Sequence, residues 1–261
     1  MTELTSMRVE QRDRIAIVTL MGRSALTVLN SALLRELGDC FERIRTDASV
    51  SAVILTGEGK AFAAGADIKE MQAMAPSEAE AFSGLGTGIF AAIAAHPVPV
   101  IAAVNGLALG GGLELALAAD FIYASQSARF GLPEATLGLI PGFAGCSRLS
   151  DRIGMHAAKE LIFTGRIVSA EEAMRLGIVN RVTAPDALLA QSLQTCSEIA
   201  AVSGNAVRTA KKVLGACAHL TPAEVTAVEI RQFGAAFSHD DARTGMSAFI
   251  AKTTPVWKDK P

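Results

Sequence analysis

The chain has 261 residues, half of them hydrophobic, with 24 basic and 26 acidic side chains giving a formal charge of −2. A near-neutral balance without a basic stripe excludes a nucleic-acid footprint, and the apolar fraction suffices for one generous α/β domain or a domain with a smaller appendage. Cys40, Cys146, Cys196 and Cys217 lie far apart in no zinc or CxxC spacing, and the four histidines form no HExxH pattern. Reduced thiols, a cytoplasmic location and the absence of a metal site are therefore the expectation.

Met1–Gln11 has no apolar core and does not read as a signal peptide. Ile15–Leu20 (IAIVTL) and Val50–Thr56 (VSAVILT) are short β-branched runs ended by glycine or polar residues, the pattern of buried strands. Between them, Leu33, Leu34, Leu37, Phe41 and Ile44 form an apolar stripe that predicts a helix over Ser31–Arg45. The segment Lys60–Lys69 (KAFAAGADIK) follows the second strand, and its four small residues Ala63–Ala66 leave backbone N–H groups open to a ligand. A tight strand-to-helix turn with Asp67 as N-cap explains the same pattern. Ile68, Met71 and Met74 fall at helical spacing and suit a core or an acyl pocket. Gly84–Gly88 (GLGTG) resembles a dinucleotide loop, but no strand precedes it.

Val98–Ala119 is apolar enough to suggest a membrane span, yet Pro99, Asn105, a GGG run and Glu114 interrupt it. It reads as a strand (Val98–Val104), a turn and a helix. Glycines opening a helix expose donors that favour negative charge. Glu114, inside the apolar LELALA stretch, is either a satisfied buried carboxylate or a catalytic one. Phe121–Ala124 predicts a further strand, and Glu134 follows Pro133 as an acid in the first turn of a short helix would. From Ala184 no strand-like run remains, and helices are predicted over residues 186–202, 204–217, 222–238 and 240–252. Two carboxylates with a pair of N–H donors aimed at one carbonyl oxygen are what enolate chemistry requires, although spacing alone does not bring Glu114 and Glu134 together.

The segments AFAAGADIKEM (61–71), VIAAVNGLALGGGLELA (100–116), FGLPEATLGLIPG (130–142), TGRIVSAEEAMRLGIVNRV (164–182) and DDARTGMSAF (240–249) resemble, in order, the motifs of the crotonase (enoyl-CoA hydratase/isomerase) family. The resemblance implies an α/β fold of repeated ββα units, with a core over 1–195 and a C-terminal helical region over 196–261 that builds trimers or hexamers. It implies an acyl-CoA thioester substrate, with coenzyme A as part of the substrate and no separate cofactor. An oxyanion hole is implied from the N–H groups of Ala64 and Gly111, and catalytic roles for Glu114 and Glu134. Gly142 would help hold the attacking water. Ala64, Gly65, Ala66, Asp67 and Ile68 would grip the acyl-CoA, with Phe249 and Lys252 near the CoA of the same or a neighbouring subunit. Two stretches depart from the family pattern: Arg23–Leu29, which lacks the usual asparagine, and Phe143–Arg148 (FAGCSR), which replaces a more glycine-rich run. Cys146 is expected to be a small buried residue there. Family isomerases commonly keep one acid, so retention of both points to hydration of a 2-enoyl-CoA rather than isomerisation or non-catalytic CoA binding.

Overall fold

The computed structural model describes residues 6–22, 26–217 and 220–257; residues 23–25 of the divergent Arg23–Leu29 stretch lie outside them. β1 (Met7–Arg12) pairs antiparallel with β2 (Ile15–Leu20), and α1 (Ser31–Thr46) leads to β3 (Ala52–Gly57), parallel to β2. A strand–strand–helix unit then occurs three times. β3 is followed by β4 (Ala61–Ala63), α2 (Ile68–Met71) and α3 (Pro76–Ala94). β5 (Val100–Val104) is followed by β6 (Leu107–Leu109) and α4 (Gly111–Leu117). β7 (Phe121–Ser125) is followed by β8 (Arg129–Gly131), a 3-10 turn over Pro133–Leu137, α5 (Gly145–Ile153) and α6 (Met155–Thr164). Then come β9 (Val168–Ser169), α7 (Ala170–Leu176) and β10 (Arg181–Thr183). The first strand of each unit joins a six-stranded sheet, β1-β2-β3-β5-β7-β10, and the second joins a four-stranded sheet, β4-β6-β8-β9.

Alternation along the strands divides the interior in two. Val53, Leu55, Val100, Ala102 and Val104 face the main core, with the buried stripe Leu33, Leu34, Leu37, Phe41 and Ile44 of α1. Ile15, Ile17, Ile54, Ile101 and Tyr123 face the other way, onto Leu188 and Cys196 of α8 (Leu188–Ala200). With both faces covered, the strands read as unbroken apolar runs. Because α8 packs on the sheet along its length, a division after residue 195 would cut it. The region free of the sheets begins with α9 (Gly204–Ala216), α10 (Pro222–Ala236) and α11 (Asp240–Ala251). The apolar stretch 98–119 resolves into β5, β6 and α4, and no helix among the described residues is long and apolar enough to cross a membrane. The GLGTG run lies inside α3.

Contacts that only glycine permits join the two sheets. Asn105 accepts the Gly57 N–H at 3.1 Å through Oδ1 and donates from Nδ2 to the carbonyls of Gly59 (3.1 Å) and Ala61 (3.4 Å), so one side chain fastens two successive turns. At the start of α4 a Cβ on Gly112 would overlap the Ala63 carbonyl, so this helix rests directly on the β4 backbone. We expect Gly112→Ala to cost about 3 kcal/mol or more, since backbone cannot yield as a side chain can. Gly84→Ala on the exposed side of α3, where nothing lies within 4 Å, should instead stabilise by about 0.5–1 kcal/mol. Urea unfolding of both variants tests this, and a mild Gly112→Ala would contradict the close packing.

Candidate active site

The chemistry-bearing residues meet at the N-terminal end of α4. Gly110, which precedes the helix, has φ +50°, and a Cβ there would lie 2.8 Å from Oε1 of Glu134. Glu114 stands one turn further along the same helix, 1% exposed. The parallel pairing of β6 with β8 therefore brings together two acids separated by twenty residues of sequence.

The two carboxylates are held differently. Oε1 of Glu114 accepts backbone N–H bonds from Phe143 and Gly145, both at 2.7 Å. Ala144 between them is left-handed at φ +70°, which turns both donors to the same side. A Cβ on Gly145 would sit 2.7 Å from that same oxygen, so glycine is required. Burial is the main influence on Glu114 and raises its pKa to about 7; the charge of Glu134 adds to this, while the two N–H donors and the Arg148 guanidinium oppose it. Glu134 is half-buried in the 3-10 turn, and burial likewise raises its pKa. Its Oε2 is buried without a hydrogen-bond partner, an unfavourable place for an anion.

Backbone donors lie at the same helix start. Gly111 opens α4, so its N–H has no partner within the helix. The expectation for Ala64 needs correction. Its N–H donates to the Thr27 carbonyl at 2.7 Å and is committed within the fold. The chain from 64 to 67 runs beside 27–29: Leu29 donates to the Gly65 carbonyl at 2.8 Å, and Asp67 donates to the Leu29 carbonyl at 3.0 Å. In this parallel bridge between Leu29 and Ala66, the Ala66 N–H points to the opposite side. Gly65, at φ +112° and abutting the Leu109 carbonyl, holds that turn against the start of α4. The donor offered beside Gly111 is thus Ala66.

The other expected residues fall in several places. Asp67 is an N-cap, accepting from the Lys69 (2.9 Å) and Glu70 (3.4 Å) N–H groups, and Ile68 is exposed. The Gly142 carbonyl accepts from the Ser83 and Thr87 hydroxyls of α3, fixing the loop before Glu114's donors. Cys146 is exposed rather than buried. Gly145 and Leu149 take the inner face of α5, and Cys146, a residue further round, faces outward. Burial, with the charges of Glu114 and Glu134, raises its thiol pKa. Phe249 is 85% exposed on α11, and Lys252 ends that helix in the left-handed region, so within one chain neither is packed into the site. Sequence reading marked the N–H groups of 63–66 as open but put the oxyanion donor at Ala64, and it missed the N–H groups of Phe143 and Gly145; Gly145 was the available sign.

An α/β fold of stacked ββα turns with paired carboxylates beside backbone donors defines the class, and the family follows from comparison. The model of the enoyl-CoA hydratase/isomerase family matches residues 10–260. A protein of Rhizobium meliloti (strain 1021) named "Probable enoyl-CoA hydratase" is 44% identical over 252 residues, covering 97% of both chains. The short-chain-enoyl-CoA hydratase of Clostridium acetobutylicum is 42% identical, covering 96% of both. The crystal structure of an enoyl-CoA hydratase from Bacillus anthracis superposes with a TM-score of 0.94 at 36% identity, over 98% of this chain and 100% of that one. The chain belongs to the enoyl-CoA hydratase/isomerase family.

Replacing Glu114 or Glu134 by Gln keeps the shape and removes the titratable proton. Each change should lower kcat by about 10²–10⁴ with KM little changed. Steady-state kinetics on each variant, after a thermal-unfolding check, decides it; a variant that keeps more than about half of wild-type kcat has a structural glutamate there.

Proposed function

We propose that this protein adds water, reversibly and with syn geometry, across the double bond of a trans-2-enoyl-CoA to give a 3-hydroxyacyl-CoA. The observation that carries this reading is the convergence of a buried and a half-buried carboxylate on one helix start beside backbone donors. The N–H groups of Ala66 and Gly111 receive the thioester oxygen, where negative charge accumulates as the nucleophile attacks C3. Glu114, whose Oε1 has two N–H donors to support an anion, takes the proton from water. Glu134 delivers to C2 the one proton that the two neighbouring carboxyls share. The cycle closes when the proton gained by Glu114 returns to Glu134. Gly142 helps hold the water, and the chain from Ala64 to Ile68 lies along the acyl-CoA.

The substrate's coenzyme A is the only carrier group this chemistry needs. The assembly is a trimer or hexamer. Phe233 on α10 and Phe237 at its C-cap, in edge contact at 5.3 Å, are 71% and 49% exposed in the single chain, and Phe249 and Ile250 project from α11. So much exposed apolar surface on one helical region supports this reading. Phe249 and Lys252 then reach the CoA of a neighbouring subunit. Four free cysteines fit a reducing cytoplasm.

Reaction in water enriched with heavy oxygen should place the label in the 3-hydroxyl group, read by mass spectrometry, with fast loss of the conjugated-thioester absorbance of a short trans-2-enoyl-CoA. Fast conversion of the 3-enoyl isomer, with no label taken up from any 2-enoyl-CoA, would move the chain to the isomerase branch. Because only ionised Glu114 can serve as base, kcat should fall as pH drops through about 7. Ala66→Pro, if folded, should lose about 10²–10³ in kcat, since one oxyanion donor is worth about 2.7–4 kcal/mol. Ala66→Ser should stay near wild type.

A further inference from the structure

Phe143 occupies a place that none of the chemistry above explains. Its ring is 2% exposed and lies between two helices. One edge of the ring, Cδ1 and Cε1, occupies the space a side chain on Gly86 of α3 would need. The opposite edge, Cδ2 and Cε2, lies 3.0 Å from where Gly111 would carry a Cβ. Phe82 and Phe90, also on α3, pack on it with ring centroids at 5.3 and 5.4 Å. The backbone of the same residue donates to Oε1 of Glu114 at 2.7 Å.

We propose that Phe143 is a positioning residue that sets the oxyanion donor and the catalytic base in register: its ring braces Gly111 against α3, and its own N–H holds Glu114. This rests on the roles proposed above for Gly111 and Glu114. Two glycines and one phenylalanine form a single unit. Gly86 leaves room for the ring in the helix behind, and Gly111 lets the ring reach the start of α4 without a side chain between them. A one-residue element thereby couples a donor on one helix to an acid a turn further along it, through a loop whose carbonyl at Gly142 is itself tied to α3 by Ser83 and Thr87. Filling this volume requires a ring but not one from the loop. A ring supplied from position 86 with alanine at 143 would occupy the same space.

The test compares Phe143→Ala, Phe143→Leu and the double variant Gly86→Phe with Phe143→Ala against wild type. Thermal unfolding, kcat and KM for one short trans-2-enoyl-CoA, and the pH dependence of kcat are measured for each. Phe143→Ala should lower kcat by about 10–10²-fold, the scale of a sub-ångström to 1 Å misplacement, with KM changed less than about threefold. The space left is lined by Phe82, Phe90 and Leu29 and stays dry. The loosened N–H is then the main change at Glu114, with Glu134, Arg148 and Cys146 still around it, and the acid limb of kcat should move to higher pH. Phe143→Leu should fall between, and it serves as the folded variant if alanine unfolds the chain. The double variant restores the brace on Gly111 but not the anchor on the loop, so it should recover part of the lost rate while its acid limb stays where Phe143→Ala puts it. A Phe143→Ala or Phe143→Leu protein that loses thermal stability but keeps wild-type kcat and pH midpoint would overturn the proposal, as would a double variant that regains the wild-type pH midpoint, because a ring from position 86 does not hold the loop. A wild type that takes up no label from heavy-oxygen water overturns the reaction and this inference together; a wild type that hydrates while the ring variants do too overturns only the role of the ring.

Discussion

The site depends on one interaction: a carboxylate placed in an apolar interior and met there by two backbone N–H groups. Burial alone would leave Glu114 protonated and unable to act as a base; full solvation would leave it too weak. The Phe143 and Gly145 donors, 2.7 Å away, work against desolvation, and the result is an acid that titrates near neutrality. A carboxyl group whose folded pKa is raised above its unfolded value favours the fold while protonated, and that contribution is lost as pH rises through about 7. Ionised, this one group costs the fold about 3 kcal/mol, so the site is a local source of instability that the rest of the core must offset.

The geometry that permits this is built from absent side chains. Gly112 lets α4 lie on the β4 backbone, Gly110 leaves room for the Glu134 carboxylate, and Gly145 lets the α5 backbone reach Glu114. Within the run 110–112 each glycine faces a different neighbour, Gly110 the Glu134 carboxylate, Gly111 the Phe143 ring and Gly112 the Ala63 carbonyl, so the run is three separate fits rather than one flexible loop. The stacked strand pairs then place β4, β6 and β8 side by side, so that the ends of three successive units meet where the glutamates stand.

The long elements were readable in the sequence because their periods are long enough to count. The α1 stripe and the C-terminal helices fall within a few residues of their expected spans, since a 3.6-residue period repeated over three or more turns leaves little room for error. β4, β6 and β8 were missed because three residues carry no period, and β1 because its single buried residue, Met7, is followed by a polar edge. Both glutamates could be named, but their meeting needed the sheet. The donor was misplaced by two residues, from Ala66 to Ala64, because a backbone N–H has no side-chain signature. Only its pairing with Thr27 and Leu29 reveals which donors the fold has used. Phe143 could be noted as a departure from pattern, but its fit between Gly86 and Gly111 joins residues 57 and 32 positions away.

The central claim, that the fold holds Glu114 as an acid poised near neutral pH, can be measured without turnover. The protein labelled with ¹³C at glutamate side-chain carboxyls, titrated by NMR with Glu114→Gln to assign the resonance, reports that pKa directly. The account predicts a midpoint for Glu114 near 7. A midpoint close to the ordinary glutamate value of about 4.3 would contradict it, because the carboxylate would then be solvated rather than buried on two N–H donors.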